Sequence, residues 1–168
     1  MADMIVETGS GLTNSNSYVS LDDADIYHEK RLHVTDWTGS NDDTKEAALM
    51  WASSLLDQLV DWYGTKYTET QAMRWPRSGV YDVDGYAILS NEIPQFLKDA
   101  TAEYARVLIA EDVMAVNDLA GFKEIKIDVI QLKMDKWDRS GSLPKPVWDM
   151  IKTYGSKLSA QKRITERI

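Results

Sequence analysis

The sequence has 168 residues, a net charge of −8 and no cysteine. A chain of this length buries a core of its own, and we expect one domain with an extension. The lack of cysteine excludes a disulfide framework and a thiolate site, and the acidic balance argues against binding duplex DNA through the body of the protein. No apolar run reaches the roughly 18 residues that span a bilayer, and no signal-peptide pattern is visible, so we expect no membrane contact.

The first part of the chain alternates polar loops with helical patterns. The run ETGSGLTNSNSYVS is typical of a loop, and the capping residue Ser20 predicts a first helix that ends around Arg31. After a second loop, TDWTGSNDD, a capping pattern at Asp43 predicts a longer helix. Its apolar residues recur at i, i+3, i+4 and i+7, and Gly64 is placed as its C′ residue.

The segment QAMRWPRSGVYDVDGYAI, residues 71–88, separates this helix from the next one. Pro76 restricts the preceding residue to an extended conformation, so we expect Trp75 to bury its ring while Arg77 stacks on an aromatic ring or pairs with an acid. Asp84 and Gly85 predict a tight turn. We interpret the segment as a rigid structural corner between two helices.

The next patterns are a third helix and a strand. Ser90 or Asn91 predicts the cap of the helix, with Pro94 in its first turn. Three amphipathic helices with short connections indicate a mainly α fold, a small helical bundle. The run FKEIKIDVIQLKMDKW then adds a short β element, and its apolar parity shifts at Ile130, which is typical of a β-bulge or of a strand that changes partners.

The C-terminal part combines the turn-rich linker DRSGSLPKP with a short apolar motif and a basic end. Residues 151–168 include five basic side chains and one acidic side chain. A helix as short as this motif is marginal in water, so the motif needs a packing partner in its own bundle or in another chain. We expect an extended C-terminal arm, loosely ordered from about Leu143 until it binds an acidic partner; a solvated terminus is the alternative.

Motifs for catalysis or metal binding are incomplete throughout the sequence. In YHEKRLH, His33 follows His28 by five residues rather than the four that a zinc protease helix requires, so we expect surface histidines. DVDG lacks the first aspartate and the last glutamate of a calcium loop, and TGSG lacks the lysine of a phosphate loop. We therefore expect no enzyme, no metal and no cofactor.

Four segments carry a resemblance to a known family: MIVETGSGLTNSNSYVSLDDADIYH, KEAALMWASSLLD, TQAMRWPRSGVYDVDGYAI and IPQFLKDATAEYA. In this order they resemble the head–tail connector adaptor (head completion) proteins of tailed bacteriophages. These adaptor proteins are often labelled DnaT-like single-stranded-DNA-binding proteins. The match runs from Met4 to about Val116, and its most specific parts are the N-S-Y-V-S segment and the W-P-R turn.

The resemblance implies a structural protein of the virion neck, assembled in the host cytoplasm. Such adaptors form a ring, typically dodecameric, beneath the portal protein, extend the DNA channel without sequence-specific binding, and provide the platform for a tail protein. On this basis we expect an adaptor body at residues 1–117, and a β segment, a linker and a portal-binding arm at residues 118–168. The predicted portal-binding residues are those of the apolar motif and the basic end: Val147, Trp148, Ile151, Lys152, Tyr154, Lys157, Lys162, Arg163 and Arg167.

The alternative function is that of a DnaT-like replication protein that binds single-stranded DNA. In that case Trp75, Tyr81 and Tyr86 are base-stacking groups. The acidic body argues against it, because basic residues that are not grouped give weak and strongly salt-dependent binding.

Overall fold

The computed structural model describes residues 3–111 and 143–158, together with the backbone of two strands at 124–127 and 130–133. The elements in chain order are α1 (Leu21–Glu29), α2 (Thr35–Thr38), α3 (Asp42–Leu59), β1 (Val60–Trp62), β2 (Thr65–Lys66), β3 (Arg77–Ser78), α4 (Gln95–Ala110), β4 (Glu124–Ile127), β5 (Ile130–Lys133), α5 (Lys145–Ile151) and β6 (Gly155–Lys157). This is the mainly α class that the sequence predicts.

The helix starts follow local capping chemistry. The Ser20 side chain accepts a hydrogen bond from the backbone N–H of Asp23, 3.1 Å away, which confirms the predicted start of α1. The N-cap residue of α3 is Asn41, two residues before the predicted Asp43, and its side chain accepts a hydrogen bond from the backbone N–H of Thr44. Helix α2 is a single turn within the segment predicted as a loop. Gly64 does not cap α3, because that helix passes directly into β1 and the glycine follows β1.

Helix α4 begins later than the sequence predicts, with Pro94 as its N-cap residue. The preceding residues, 90–93, run against the N-terminal loop. A Cβ atom on Gly9 would lie 2.3 Å from the carbonyl oxygen of Asn91, so only glycine permits this close approach. Ile93 is buried in this connection. The segment that leads into α4 is thus packed against the N-terminal loop, which is far from it in the sequence.

The core forms where α3 and α4 pack against each other, and α4 also contacts α1, α2 and α5. Leu49 and Leu56 of α3, and Leu97 and Tyr104 of α4, are fully buried. Small residues such as Ala100 line the same face of α4 and let the helices approach closely. The apolar spacing read from the sequence thus identifies the buried face of α4, but only part of that of α3: Trp51, which lies on the predicted face, is 40% exposed.

Helix α5 and strand β6 belong to this core, which corrects the expectation that the chain is loosely ordered from Leu143 onward. Leu143, Val147 and Ile151 are buried, and α5 packs on α4. Strand β6 then pairs antiparallel with β1, with Asp61 opposite Ser156. The short helix that would be marginal alone is stabilised by burial against the bundle. Residues 159–168, with the remainder of the predicted arm, lie outside the described residues.

Strands β4 and β5 pair antiparallel, with Ile125 opposite Leu132 and Ile127 opposite Ile130. The chain reverses between two strands here, so the shift of apolar parity at Ile130 marks a second strand and not a bulge within one strand.

A buried ionic cluster ties α1 to α4. The Glu103 carboxylate is 2% exposed and accepts two hydrogen bonds from Arg31, at 2.6 and 2.7 Å, and one from Arg106 at 2.7 Å. Burial acts to raise the pKa of Glu103, but the hydrogen bonds from both arginines outweigh it and lower the pKa to about 2. The carboxylate therefore stays charged in the core because two guanidinium groups surround it.

His28 lies beside this cluster and is 1% exposed, so the expectation of a surface histidine is wrong for this residue. Its Nε2 atom is 3.1 Å from the carbonyl oxygen of Ala102, and its ring centroid is 4.5 Å from that of Trp37. Burial lowers the pKa of His28. The expectation holds for His33, which is exposed.

Candidate partner-binding surfaces

The W-P-R turn is built around the buried ring of Trp75. This ring is fully buried and contacts Trp62 and Phe96 edge to face, with centroids 5.9 and 5.8 Å away. A ring in this position stabilises the core through its area and its aromatic contacts. Trp75 cannot stack on a nucleic acid base without unfolding the corner.

Arg77 holds the corner through backbone carbonyl groups and not through the aromatic ring or acid that the sequence suggested. Its guanidinium donates to the carbonyl oxygens of Tyr63 (2.7 Å), Gly64 (2.7 Å), Arg74 (3.0 Å) and Trp62 (3.2 Å). Burial lowers the pKa of Arg77. One side chain thus joins three carbonyl groups where the chain turns from β1 into β2 to the carbonyl group of Arg74, a role that needs the planar, many-donor group of arginine.

A second network joins the corner to the N-terminal segment and α3. The Tyr18 hydroxyl donates to the Asp57 carboxylate, which also accepts from the backbone N–H of Arg74 at 3.0 Å. The same hydroxyl accepts from the backbone N–H of Trp75 at 3.2 Å. Burial raises the pKa of both Tyr18 and Asp57. The N-S-Y-V-S segment and the W-P-R turn are therefore in direct contact.

The N-terminal loop is organised by Glu7, which the sequence analysis did not single out. Its buried carboxylate accepts from the backbone N–H groups of Gly9, Gly11 and Leu12 at 2.9 to 3.0 Å, and from the Ser15 hydroxyl at 2.9 Å. The TGSG run therefore wraps around a carboxylate of its own chain. An acid followed by small residues that expose their N–H groups is the only sequence signal for this arrangement.

Residues 80–88 form a projecting hairpin that we call the tyrosine loop. Its strands are joined by a bridge between Tyr81 and Ala87. The Asp82 carboxylate accepts from the backbone N–H groups of Asp84 (2.9 Å) and Tyr86 (2.8 Å), and Gly85 has a φ of +87°. These bonds fix a tight turn at Asp84 and Gly85, where glycine supplies the left-handed conformation.

Large apolar side chains of the tyrosine loop face solvent. Tyr81 is 59% exposed, Val83 72% and Tyr86 73%, and Leu89, which follows the loop, is 61% exposed. A concentration of exposed apolar groups on a rigid hairpin is typical of an interaction surface. The tip is also acidic, because the exposed Asp84 lies between Val83 and Tyr86.

A groove of about 560 Å³, the Asp57 groove, is lined partly by the residues that precede the W-P-R turn. The side chains that define it are Asn16, Met50, Asp57, Lys66, Met73 and Arg74. The half-buried Met50 provides an apolar surface, whereas Met73 is only 5% exposed. Two cationic groups and a single carboxylate are the charged side chains of the groove. The groove therefore offers both apolar contacts and excess positive charge in a protein that is otherwise acidic.

Four of the predicted portal-binding residues are at least partly exposed, and we call the surface that they form the C-terminal surface: Trp148, Lys152, Tyr154 and Lys157. Val147 and Ile151 are excluded as partner contacts because they are fully buried in the core of the chain itself. Tyr154 is half-buried, and its ring stacks on that of Phe96. Lys152 is exposed.

Trp148 and Lys157 form a pair on this surface. The Nζ atom of Lys157 lies 5.1 Å from the ring centroid of the half-buried Trp148, within the range of a cation–π interaction. The structure thus brings together Trp148, Lys152, Tyr154 and Lys157, whereas Lys162, Arg163 and Arg167 lie outside the described residues. The ring of Trp148 and two lysines remain accessible there.

The described residues offer little for metal chemistry. Within residues 3–111 and 143–158, no group of three or more His, Asp or Glu side chains is placed to hold a metal ion. No helix in that part of the chain is long and apolar enough to cross a membrane.

Comparison with known proteins identifies one family. Residues 2–165 match the family described as "Putative DnaT-like ssDNA binding protein". No curated protein and no solved structure matches the chain. Because the match covers nearly the whole sequence, the chain belongs to this DnaT-like family.

Proposed function

We propose that this protein is a non-catalytic structural adaptor of the head–tail connector of a tailed bacteriophage. It assembles with copies of itself into a ring, binds the portal protein through its C-terminal surface, extends the DNA channel and provides the platform for a tail protein. The resemblance in the N-S-Y-V-S and W-P-R segments supports this role, and these two segments contact each other through Tyr18.

The observation that carries the proposal is the pairing of β6 with β1. It places Leu158, whose N–H donates to the carbonyl oxygen of Leu59 at 2.8 Å, on the body of the protein, and the rest of the basic end follows Leu158 in the sequence. Trp148 and Lys157 lie on the same segment. An aromatic anchor followed by a basic segment suits a partner that has an apolar pocket with an acidic rim.

The charge distribution also favours this role. Residues 1–111 carry 19 acidic and eight basic side chains, a net charge of −11. Such a body repels DNA, as a channel through which DNA must slide requires.

Gradient sedimentation with the portal ring encoded in the same genome tests the proposal. We expect the full chain to migrate with the portal, and a chain that ends at Leu158 to migrate alone or in a much smaller fraction. The truncation leaves α5 and β6 in place, so it does not remove core residues such as Val147 and Ile151. Lys30→Glu, a charge change at the exposed C-cap residue of α1, is the control and should migrate like the unmodified chain. Separate migration of the full chain and the portal would contradict the proposal.

A second candidate function, binding of single-stranded DNA, is favoured by the exposed rings of Tyr81 and Tyr86 together with the description of the family. Base stacking on such rings contributes about 1–3 kcal/mol per base. The adjacent carboxylates of Asp82 and Asp84 oppose it, because they repel phosphate groups.

Fluorescence anisotropy with a labelled oligonucleotide separates the two candidates. Under the adaptor proposal we expect no binding at micromolar protein concentration and physiological salt. Binding that is lost in Tyr81→Ala/Tyr86→Ala but retained in Tyr67→Ala, another exposed tyrosine, would instead establish the second function.

A further inference from the structure

The tyrosine loop and the Asp57 groove have complementary properties. The loop presents Val83 and Tyr86 with the Asp84 carboxylate between them. The groove presents the half-buried side chain of Met50 together with the cationic groups of Lys66 and Arg74. We propose that the tyrosine loop of one copy of this chain inserts into the Asp57 groove of a second copy.

The loop has the properties of an inserting element. Its turn is held by two hydrogen bonds to the Asp82 carboxylate and by the backbone bonds Asp82 N–H to Tyr86 O, 2.8 Å, and Gly85 N–H to Asp82 O, 3.1 Å. Because these bonds exist in the isolated chain, little conformational entropy is lost when the loop binds. The large exposed fractions of Val83 and Tyr86 mean that their apolar surface is available to a second molecule.

The groove has the properties of a receptor. The Arg74 guanidinium makes no hydrogen bond or ion pair within the described part of the chain, although it lies close enough to Asp57 to influence its charge. The ammonium of Lys66 makes one hydrogen bond there, to the carbonyl oxygen of Gln71 at 3.1 Å. Both cations therefore retain donors for an incoming carboxylate.

The apolar parts match as well. Methionine side chains adapt to irregular shapes and make favourable contacts with aromatic rings, so the half-buried Met50 suits the ring of Tyr86. A groove of about 560 Å³ lies within the range of roughly 300–1,000 Å³ that is usual for sites enclosing small ligands. It has room for a tyrosine side chain and a neighbouring valine.

The consequence is an assembly with a direction. The inserting loop and the receiving groove are different surfaces of the same chain, so each copy uses both and the contact is heterologous. Repetition of such a contact closes into a ring or continues as an open chain. This contact between copies rests on the proposed function only in so far as that function includes self-association. It does not depend on binding to the portal.

Directed disulfide cross-linking tests the contact. Because the sequence contains no cysteine, only the introduced cysteines can form a disulfide. Val83→Cys and Ala72→Cys are made in two separately tagged chains; Ala72 is exposed and lies on the groove. On mixing and mild oxidation we expect a disulfide that joins the two tags. Leu32→Cys, at a residue 78% exposed on another part of the surface, replaces Val83→Cys as the control and should give little product. Equal yields from both mixtures would overturn the proposal.

Reversing the charges on the two surfaces provides an independent test, made without the portal protein. By sedimentation velocity, we expect Asp84→Lys and Arg74→Glu each to weaken self-association by about tenfold or more, and the double variant to regain part of it. Lys30→Glu is the matched control and should change nothing. Far-ultraviolet circular dichroism shows whether Arg74→Glu folds; if it does not, Asp84→Lys and the cross-linking decide.

Two results would overturn the inference outright. One is an unmodified chain that stays monomeric at every concentration tested, and the other is Asp84→Lys self-associating like the unmodified chain. Loss of portal binding in variants that still cross-link would instead count against the portal part of the proposed function alone.

Discussion

The rings of Phe96 and Tyr154 stack face to face, with centroids 3.7 Å apart and planes 7° apart. Phe96 lies in the first turn of α4, and Tyr154 lies between α5 and β6. On its other side Phe96 meets Trp75 of the W-P-R corner, which in turn meets Trp62 of β1. Four aromatic side chains thus join the corner, β1, the first turn of α4 and the C-terminal segment into one packed unit.

Tyr154→Ala should destabilise the whole body and not only the C-terminal segment. Loss of the half-buried ring and its stacking on Phe96 should cost about 2 kcal/mol of unfolding free energy, since an aromatic pair contributes about 0.5–1.5 kcal/mol beyond the area it buries. Urea unfolding followed by circular dichroism measures the change, and Tyr154→Phe, which keeps the ring, should cost much less. Equal stability of the Ala and Phe variants would show that the stack contributes nothing.

Trp75→Ala should cost about 3–5 kcal/mol, the range for truncation of a fully buried aromatic side chain. Trp75→Phe should cost clearly less, because the indole N–H has no hydrogen-bond partner within the described residues and no bond is lost with it. Thermal unfolding of the two variants is the measurement. An unchanged melting temperature in Trp75→Ala would place the ring on a surface and restore it as a candidate for base stacking.

Local chemistry explains which features the sequence predicts. The Ser20 cap requires only residues within one turn, and the apolar spacing of α4 follows from the helix period, so both can be read directly. The turn at Asp84 and Gly85 likewise depends on neighbouring residues.

Features that depend on distant contacts could not be read in this way. The close approach of Gly9 to Asn91 joins two distant parts of the chain, and α5 is stable because Val147 and Ile151 are buried in the core where α5 packs on α4. The residues next to Arg77 in the sequence indicate only that it could contact a ring or an acid. The four carbonyl groups that surround it are brought together by the fold. The same holds for the Asp57 groove, whose walls come from three separate segments.

The buried Glu103 predicts a loss of stability in acid. Its pKa is lowered to about 2 from an ordinary value of 4.5, so the carboxylate stabilises the fold above about pH 4.5, and this contribution is lost as the pH falls toward 2. The full contribution is about 2–3 kcal/mol, allowing for solvent screening at Arg31, whose side chain is 34% exposed. Urea unfolding between pH 5 and pH 2 measures it.

Glu103→Gln is the control for that measurement. It should be less stable at pH 7, because Arg31 and Arg106 lose their counter-charge, and its stability should change less between pH 5 and pH 2. Identical pH dependence in both proteins would show that other carboxylates cause the loss.

His28 predicts a second, separate pH effect. Its pKa is lowered by burial, so the unfolded chain binds the proton more readily; stability is complete above the ordinary value of 6.5 and falls as the pH drops through the lower folded value. Glu103, Arg31 and Arg106 are the charged groups that act on it. The melting temperature should therefore fall between pH 7.5 and pH 5.5. His28→Gln should flatten this dependence, whereas His33→Gln, at the only other histidine, should not.

Trp148→Ala separates binding from folding at the C-terminal surface. The ring is half-buried and lies over Lys157, so truncation should reduce monomer stability only modestly, while portal binding should weaken by about 2 kcal/mol or more, as at an interface hot spot. Val147→Ala is the opposite control: its side chain is fully buried, and it should lower stability without a specific effect on binding by the folded fraction. Co-sedimentation with the portal ring over a range of concentrations, together with urea unfolding, gives both quantities. If Trp148→Ala binds the portal normally while Lys152→Glu and Lys157→Glu do not, the contact depends on charge, and the prediction that Trp148 is an aromatic anchor is wrong.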